Sequence, residues 1–326
     1  MFQISIGIVF RNEELALPSF FAGLESAISK KLDFEILGFD NDSSDESLLL
    51  FEKECLKRDW RFKTCHSQRN NMGVARSWIL AHSAAPLIYF LDVDVKPAPD
   101  SLSHLLEALQ SSNSEMCAAA GPLQISIGNA FQRRLSFLQY TWFGNFGSAQ
   151  LKKSFNESEI EHAPTAHLLV KKLEYLKIGG FNSSLDRTGE DLEIHWRLSQ
   201  RNKKILWVQS AVAEHNIAGH LVLWLQKSFK YGMAQTLIAR IHPRFFLTRR
   251  CLPIWLLAIA LICLIGFPIY FCLMLVAYLA TVLIVSLKLS KKDSMRLLSL
   301  FVGTHISYLC GEVFGLLRSP ETQTNK

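Results

Sequence analysis

Short apolar runs alternate with longer amphipathic segments along the first hundred residues. Four segments are predicted to be strands, 4–10, 34–39, 61–66 and 87–91, and the continuous apolar run 87–91 is typical of a strand that is buried on both faces. Helical patterns separate these strands over 15–28, 46–58 and 74–84. Strands and helices that alternate in this order are typical of an α/β fold with a doubly wound, mostly parallel sheet.

The pattern is less regular after the fourth strand, which Pro97 and Pro99 end. Further strands are predicted over 117–127, 166–170, 205–208 and 211–213, and helices over 101–109, 171–178 and 190–198. The aromatic-rich segment 130–155 predicts no clear element. We expect the region 130–165 to shape the substrate pocket, although aromatic residues more often belong to a core.

The last hundred residues are far more apolar. Residues 254–287 include no charged side chain, and 297–317 include only Glu312. A single helix over 254–287 would be about 51 Å long, whereas the hydrocarbon core of a bilayer is about 30 Å thick. Two spans that meet near Gly266 and Pro268 fit better, although one span remains the alternative. We therefore predict transmembrane spans at about 254–269, 270–287 and 297–317, with His305 and Glu312 unassigned in the third.

Charge follows the same division. Residues 1–214 carry 23 basic and 26 acidic side chains, a net of −3, whereas 215–326 carry 12 and 3, a net of +9. A positive excess confined to the apolar part favours an anionic membrane surface as partner and disfavours nucleic acid. The basic segment 217–240 is predicted to be an amphipathic helix at the membrane interface, with an ordinary domain helix as the alternative.

These patterns predict an order of domains and a location. We expect a soluble domain over 1–216, an interface helix and linker over 217–250, a transmembrane region over 251–318 and a tail over 319–326. A strand directly follows the N-terminus, so no signal peptide is predicted. Basic residues precede the first span and follow the second. The positive-inside rule therefore predicts a multi-pass inner (plasma) membrane protein whose soluble domain is cytoplasmic.

The first candidate functional site is the sequence Asp92-Val93-Asp94, which directly follows the fourth predicted strand. Side chains at positions i and i+2 of a strand point to the same side, so Asp92 and Asp94 are expected to converge. Ligands of open α/β sheets bind at the carboxyl ends of the strands. Two carboxylates at this place suit a hard divalent cation, Mg²⁺ or Mn²⁺, that also holds phosphate oxygens. The alternative is a solvated turn after a core strand.

Six short motifs within residues 2–216 together resemble family 2 glycosyltransferases of the membrane-anchored, bacterial polysaccharide and glycolipid type. Residues 9–14 resemble the family's opening, 40–45 its D-N-G-S-x-D with Asp42 in place of glycine, 71–76 its N-x-G-x-x-x-A-R one residue shorter, 92–94 its D-x-D, 179–182 its G-G-F-D and 189–191 its G-E-D. Each motif is weak alone, but their order is specific. The resemblance implies the GT-A nucleotide-sugar fold.

The resemblance also implies roles for individual residues. The nucleotide-sugar site would comprise Phe10, Asn12, Glu13, Asp40, Asp42, Arg76 and Asp92, and the divalent metal would be held by Asp94, Asp92 and His215. Asp191 would be the general base, with Glu190 beside it. The structural alternatives are that Asp45 caps a helix, that Glu190 and Asp191 simply favour a helix N-terminus, and that His215 is structural.

The implied function is an inverting, metal-dependent glycosyltransferase. We expect it to move a sugar from a nucleotide-diphosphate donor, a UDP-sugar, to a lipid-linked saccharide in the membrane. A transferase that acts on polyprenyl phosphate and a non-catalytic membrane protein that binds a nucleotide-sugar remain alternatives. A processive synthase is disfavoured because the Q-x-x-R-W signature is absent from the sequence. No motif specifies the donor sugar, the acceptor or the linkage.

Overall fold

The computed structural model describes residues 2–29, 32–141, 144, 159–185 and 188–318. Contacts divide the chain into two compact units, one within 1–126 and 148–216 and the other within 127–147 and 217–326. The predicted tail at 319–326, and part of the predicted pocket region 130–165, lie outside the described residues. The predicted domain limits remain a prediction.

The described strands all belong to the first unit. They are β1 (Ile4–Phe10), β2 (Phe34–Asn41), β3 (Phe62–Ser67), β4 (Leu87–Leu91), β5 (Val95–Pro97), β6 (Met116–Ala120), β7 (Leu123–Ile125), β8 (Glu159–Ile160), β9 (His167–Lys171), β10 (Lys204–Trp207) and β11 (Ala213–His215). Most positions agree with the predicted strands to within a few residues, but the predicted strand 117–127 is divided into β6 and β7, and β5 and β8 were not predicted.

The helices occur in both units. They are α1 (Leu17–Ala27), α2 (Ser47–Lys57), α3 (Met72–His82), α4 (Ser101–Gln110), α5 (Ala130–Gln139), α6 (Lys172–Leu176), α7 (Glu190–Ser199), α8 (Leu221–Ile241), α9 (Leu252–Gly266), α10 (Pro268–Leu289) and α11 (Ser294–Leu317). Two short 3-10 turns, Pro243–Leu247 and Arg249–Cys251, join α8 to α9.

The main sheet has the strand order β3-β2-β1-β4-β9-β6-β10-β8. Strands β1 to β4 are parallel, with Phe10 opposite Asp40 and Gly7 opposite Phe90. Strand β9 runs antiparallel to both β4 and β6. The predicted α/β class is confirmed, and this register places the carboxyl ends of β1, β2 and β4 at one edge of the sheet.

Both faces of the main sheet are covered by apolar side chains. Tyr89 of β4 belongs to the cluster that includes Phe21 and Phe51, whereas Phe90 belongs to the opposite cluster with Ile79. Successive strand residues point to opposite faces, so burial on both sides explains why the central strands β1 and β4 are almost continuously apolar.

A smaller sheet has the order β5-β11-β7. In this sheet β11 runs antiparallel to β5, with His215 opposite Val95, and parallel to β7. Because Val95 directly follows Asp94, this pairing brings the end of β11 beside the D-x-D sequence.

The second unit has a tightly packed helix pair, α8 and α11. A Cβ atom on Gly311 would lie 2.0 Å from the carbonyl oxygen of Phe229, so the helices approach closely only because this residue is glycine. Trp224 Nε1 donates a hydrogen bond of 2.8 Å to Thr304 Oγ1 across the pair. Small residues at a contact allow such close helix packing in membranes.

Three helices of the described chain are long and apolar enough to cross a membrane: Arg249–Gly266, Pro268–Leu289 and Ser294–Leu317. Residues 254–287 therefore form two helices rather than one, and the break lies at Phe267, before Pro268. Proline cannot continue the preceding helix because it has no backbone N–H. The membrane-interface location of α8 remains a prediction.

Candidate active site

Asp92 and Asp94 lie in a tight turn at the carboxyl end of β4. The strand ends at Leu91, and Val95 N donates to the carbonyl oxygen of Asp92 at 3.0 Å. Strand alternation therefore does not apply to these two residues, and the convergence of their carboxylates remains a prediction. The turn, rather than the pleat, sets their directions, although both remain at the predicted edge of the sheet.

His215 is adjacent to Asp94. Its Nε2 lies 3.3 Å from Asp94 Oδ2, and the next residue, Asn216, donates from its backbone N to the Asp94 carbonyl oxygen at 2.8 Å. The antiparallel pairing of β11 with β5 fixes this arrangement. An imidazole and a carboxylate that are 121 residues apart in the sequence thus meet at one place.

Arg76 joins the D-x-D turn to the start of α7. Its guanidinium is buried, with Nη2 3.4 Å from Asp92 Oδ1, and it forms a second ion pair with Glu190. Glu190 is itself buried. Because the Glu190 carboxylate is buried and paired with Arg76, the neighbouring Asp191 is the better candidate for contact with the substrate.

The N-terminus of α3 is locked to the loop after Gly180. Asn71 caps α3 by accepting from Val74 N at 3.0 Å, and its Nδ2 donates to the Ser183 carbonyl oxygen at 2.8 Å. A Cβ on Gly73 would lie 2.4 Å from the Asn182 carbonyl oxygen. The glycine of the N-x-G motif is thus required for close approach of two backbones.

Arg197 of α7 binds the backbone of the segment that leads into the loop after Gly180. Its guanidinium donates to the carbonyl oxygens of Ile178 and Gly180, each at 2.6 Å, and pairs with Glu193 at 2.7 Å. Gly180 has φ +71°, a conformation that favours glycine. The G-G-F-N segment therefore connects the helix that carries Arg76 to the helix that carries Asp191.

Asp191 lies in the first turn of α7, where Leu192 N donates to its Oδ1 at 2.6 Å. His162 Nε2 lies 3.8 Å from its Oδ2. Burial alone would raise the pKa of Asp191, but His162 and Arg76 outweigh burial and hold the pKa well below its usual range. Asp191 is consequently a carboxylate at neutral pH, the state that a proton acceptor requires.

The ends of β1 and β2 form a second polar cluster at the same edge. Asp40 is buried, with Oδ2 2.8 Å from His66 Nδ1, and its Oδ1 accepts from Ser43 N at 3.0 Å. Asp42 has φ +74° and pairs with Arg11 at 3.3 Å. Aspartate tolerates this left-handed conformation better than most residues, which explains how Asp42 can replace a glycine.

Residues at the end of β1 bind mainly to the loop after β2. Asn12 Oδ1 accepts from Ser44 N at 2.8 Å, and Glu13 N donates to Ser47 Oγ at 2.7 Å. The ring of Phe10 is buried and stacks on Phe51 at 4.7 Å between ring centroids. The contacts of Phe10 are thus core contacts, and the nucleotide-binding roles at this edge remain predictions.

The sequence pattern of the family described as "Glycosyl transferase family 2" matches residues 5–176, just over half of the chain. The chain belongs to glycosyl transferase family 2. This membership confirms the predicted family and enzyme class. Asp92, Asp94 and Arg76 lie within the matched part, whereas Asp191 and His215 follow it.

A curated relative of this glycosyltransferase is the pre-mycofactocin glycosyltransferase of Mycobacterium tuberculosis. It is 22% identical over 178 residues, which are 55% of this chain and 37% of the relative. The chain therefore spans little more than a third of the length of the curated relatives it matches.

Solved structures of other glycosyltransferases share the fold. The mannosyltransferase PcManGT of Pyrobaculum calidifontis, in complex with GDP-Man and Mn²⁺, covers 97% of this chain and 87% of its own, with a TM-score of 0.65 and 12% identity. S. aureus TarS 1-349 with UDP-GlcNAc covers 95% and 90%, with a TM-score of 0.53 and 13% identity. These similarities confirm the GT-A fold of the glycosyltransferase.

Several polar residues at the candidate site of the glycosyltransferase belong to none of the six sequence motifs. His66 is the next-to-last residue of β3 and lies beside Asp40, a position that the predicted strand edge could have suggested. His162 belongs to a segment with no predicted element, so no signal marked it. His195 is buried in α7 and its Nε2 lies 2.7 Å from the Tyr175 hydroxyl, a contact that helical periodicity does not reveal.

The predicted metal ligands fit a divalent cation in their chemistry. Asp94 and His215 are adjacent, and burial together with the nearby Asp94 carboxylate raises the pKa of Asp92, although Arg76 opposes the shift. A cation would relieve this repulsion. Among the described residues, no three His, Cys, Asp or Glu side chains are grouped so that they could hold a metal ion by themselves. An open set of this kind suits Mg²⁺ or Mn²⁺, which commonly take few protein ligands together with substrate phosphates.

Proposed function

We propose that the protein is an inverting, metal-dependent glycosyltransferase that transfers a sugar from a UDP-sugar to a hydroxyl of a lipid-linked saccharide. The observation that carries this proposal is the cluster at the carboxyl edge of the sheet. There Arg76 links Asp92 to the N-terminus of α7, where the ionised Asp191 lies. Asp94 and His215 complete the cluster.

The donor side of the proposal rests on charge. The diphosphate of a nucleotide-sugar is anionic, and Asp94, Asp92 and His215 would hold the divalent ion that binds it. When bound, such an ion would supply Lewis-acid stabilisation of the diphosphate leaving group. The buried Asp40 carboxylate can accept a hydrogen bond from the imide N–H of uracil. Among similar structures, one binds GDP-Man and another UDP-GlcNAc, so both nucleotides belong in the test.

The acceptor side rests on Asp191. An ionised carboxylate can remove the proton of an attacking hydroxyl, a contribution of roughly 10²–10⁴-fold. It would repel the phosphate of a polyprenyl phosphate, which is already deprotonated and needs no base. A direct displacement at the anomeric carbon inverts its configuration. These points favour a saccharide hydroxyl over a phosphate as the nucleophile.

The membrane side rests on the second unit. Its three candidate spans and the net charge of +9 over residues 215–326 suit a chain held in an anionic membrane, multi-pass, with its transferase unit in the cytoplasm. An acceptor carried by a membrane lipid would meet the enzyme in two dimensions. Bacterial polysaccharide or glycolipid assembly at the inner membrane is the process that would use such a product.

The test is a transfer assay with the full-length protein in membranes. We expect a UDP-sugar, supplied with Mn²⁺ or Mg²⁺ and extracted lipid acceptors, to yield a lipid-linked saccharide one sugar larger by mass spectrometry. Excess EDTA and Asp94→Ala should each abolish the product, and re-addition of metal should rescue only the wild type. Asp33→Ala, at an exposed carboxylate paired with Arg61, is the matched control.

Other products would contradict particular parts of the proposal. A sugar attached directly to polyprenyl phosphate would show that the acceptor is this phosphate and not a saccharide. A long polymer would show processive synthesis and not the transfer of a single sugar. Full activity in excess EDTA would contradict the proposed requirement for a divalent metal. Donor binding without transfer to any membrane extract would leave a nucleotide-sugar-binding protein without catalysis.

A further inference from the structure

His162 is a polar side chain next to the proposed base, and no sequence motif assigns it a role. It lies in the loop between β8 and β9, and its Nε2 is 3.8 Å from Asp191 Oδ2. Its side chain is only 13% exposed. An imidazole that is protonated at Nε2 can direct that N–H toward the carboxylate, and an imidazolium adds a charge to the interaction.

The two oxygens of Asp191 therefore have different neighbours. Oδ1 accepts from Leu192 N at 2.6 Å, and Oδ2 faces His162. A hydrogen bond on one oxygen and an imidazole within ion-pair distance of the other restrict the carboxylate rotamer, as is required of a base that approaches a substrate hydroxyl. Misplacing a reacting group by about 1 Å can cost a rate of order 10²-fold.

His162 is in contact with the buried His195, which is itself paired with Tyr175. The ring of His195 contacts the His162 ring edge-on, with 5.6 Å between centroids, and His195 Nε2 lies 2.7 Å from the Tyr175 hydroxyl. His195 and Tyr175 are both buried in the core of the unit. Burial raises the pKa of Tyr175 well above its usual value, so the hydroxyl stays neutral and serves as a fixed hydrogen-bonding group.

The charged and titratable groups around Asp191 come from four elements. Arg76 of α3, His195 of α7 and His162 favour the carboxylate form, whereas Asp92 after β4 is a nearby like charge. Of the three favourable groups, Arg76 is already paired with Asp92 and Glu190. His162 lies within ion-pair distance of Asp191.

We propose that His162 is a positioning residue for Asp191, orienting the carboxylate and keeping it ionised while the acceptor hydroxyl attacks. This inference rests on the proposed function. The acceptor oxygen forms a bond to the anomeric carbon, and the bond from that carbon to the diphosphate oxygen breaks with its electron pair. The acceptor proton passes to Asp191. His162 neither gains nor loses a proton in this step.

The test compares His162→Gln, His162→Phe and Asp191→Asn in the full-length enzyme, with the exposed His82→Gln as control. We expect His162→Phe to lower kcat by about tenfold, a fraction of the contribution of a general base, with KM for the donor unchanged. The acidic limb of the kcat profile should move to higher pH because Asp191 loses a favourable neighbour. Glutamine keeps an N–H donor, so His162→Gln should recover part of kcat.

The outcomes separate this inference from the function on which it rests. Sugar transfer that persists in the Asp191→Asn variant would contradict the role of Asp191 as the general base, and both proposals would then be wrong. If Asp191→Asn is inactive but both His162 variants keep the wild-type kcat and pH profile, the role of His162 alone is overturned. A shift of the acidic limb to lower pH would also overturn it, because His162 itself would then be the titrating base. Unchanged donor binding in every variant, measured by calorimetry, shows that the site remains folded.

Discussion

At the scale of single residues, the candidate site depends on pairing between opposite charges that come from separate motifs. Arg76 pairs with both Asp92 and Glu190, so one buried guanidinium connects the D-x-D turn with the G-E-D turn. Breaking a buried pair by removing one partner costs about 3–5 kcal/mol, because the other charge stays buried. The chemistry and the stability of this edge are therefore coupled through Arg76.

The state of Asp191 leads to a prediction about pH. Because His162 and Arg76 hold the pKa of Asp191 well below its usual range, the base stays deprotonated in mildly acidic solution. We expect the transfer rate at saturating donor and metal to change little between about pH 6 and 8, and to fall only at lower pH. Initial rates across a buffer series at constant ionic strength measure this. A half-maximal rate near pH 7 would contradict a carboxylate base.

The sequence reveals the carboxylates of the site better than their partners. Asp92, Asp94 and Asp191 follow predicted strands or begin a predicted helix, so local pattern and family motifs both mark them. His162 and His66 belong to no motif, and their roles depend on which loops the fold brings together. Contacts between side chains more than twenty residues apart, such as His162 with Asp191, follow from tertiary packing and leave no periodic trace.

At the scale of elements, β9 shows what an apolar run cannot specify. Residues 166–170 predict a strand, and β9 occupies His167–Lys171. Its antiparallel direction between β4 and β6 depends on the path of the preceding chain, which no local pattern encodes. Conversely, the break between α9 and α10 is predictable because Pro268 acts locally.

The contact between α3 and the loop at Asn182 gives a stability prediction. Gly73→Ala would place a Cβ 2.4 Å from the Asn182 carbonyl oxygen, and backbone on both sides must move. Alanine gains about 0.5–1 kcal/mol of helix propensity over glycine, but overpacking costs about 1–3 kcal/mol, so the clash dominates. We expect a lower Tm by calorimetry. Gly219→Ala, which meets no atom within 4 Å, is the control, and an unchanged Tm for Gly73→Ala would contradict the close approach.

The α8–α11 pair gives a matching prediction in the second unit. Gly311→Ala would place a Cβ 2.0 Å from the Phe229 carbonyl oxygen, so the helices must separate. We expect a Tm in detergent that is lower than that of the wild type by an amount equivalent to about 1–3 kcal/mol. Gly266→Ala meets no atom within 4 Å and should be neutral. Equal Tm values for the two variants would argue against tight packing of this pair.

At the scale of the whole molecule, the chain combines a GT-A transferase unit with a strongly apolar, basic unit. Within the part of the chain that the structure describes, three helices are long and apolar enough to cross a membrane, and 26 of the 29 acidic residues lie in residues 1–214. We expect the full-length protein to stay in the membrane pellet after extraction at high salt and at alkaline pH, because apolar spans resist both treatments. Release into the supernatant by salt alone would indicate electrostatic attachment without spans.

The most direct test of the account is the rate of sugar transfer by Asp191→Asn relative to the wild type, with donor binding measured on the same samples. The proposed site predicts that the variant binds UDP-sugar and metal with wild-type affinity but transfers at least about 10²-fold more slowly onto the membrane acceptor. Transfer at the wild-type rate by a folded Asp191→Asn variant would contradict the assignment of this carboxylate edge as the catalytic site.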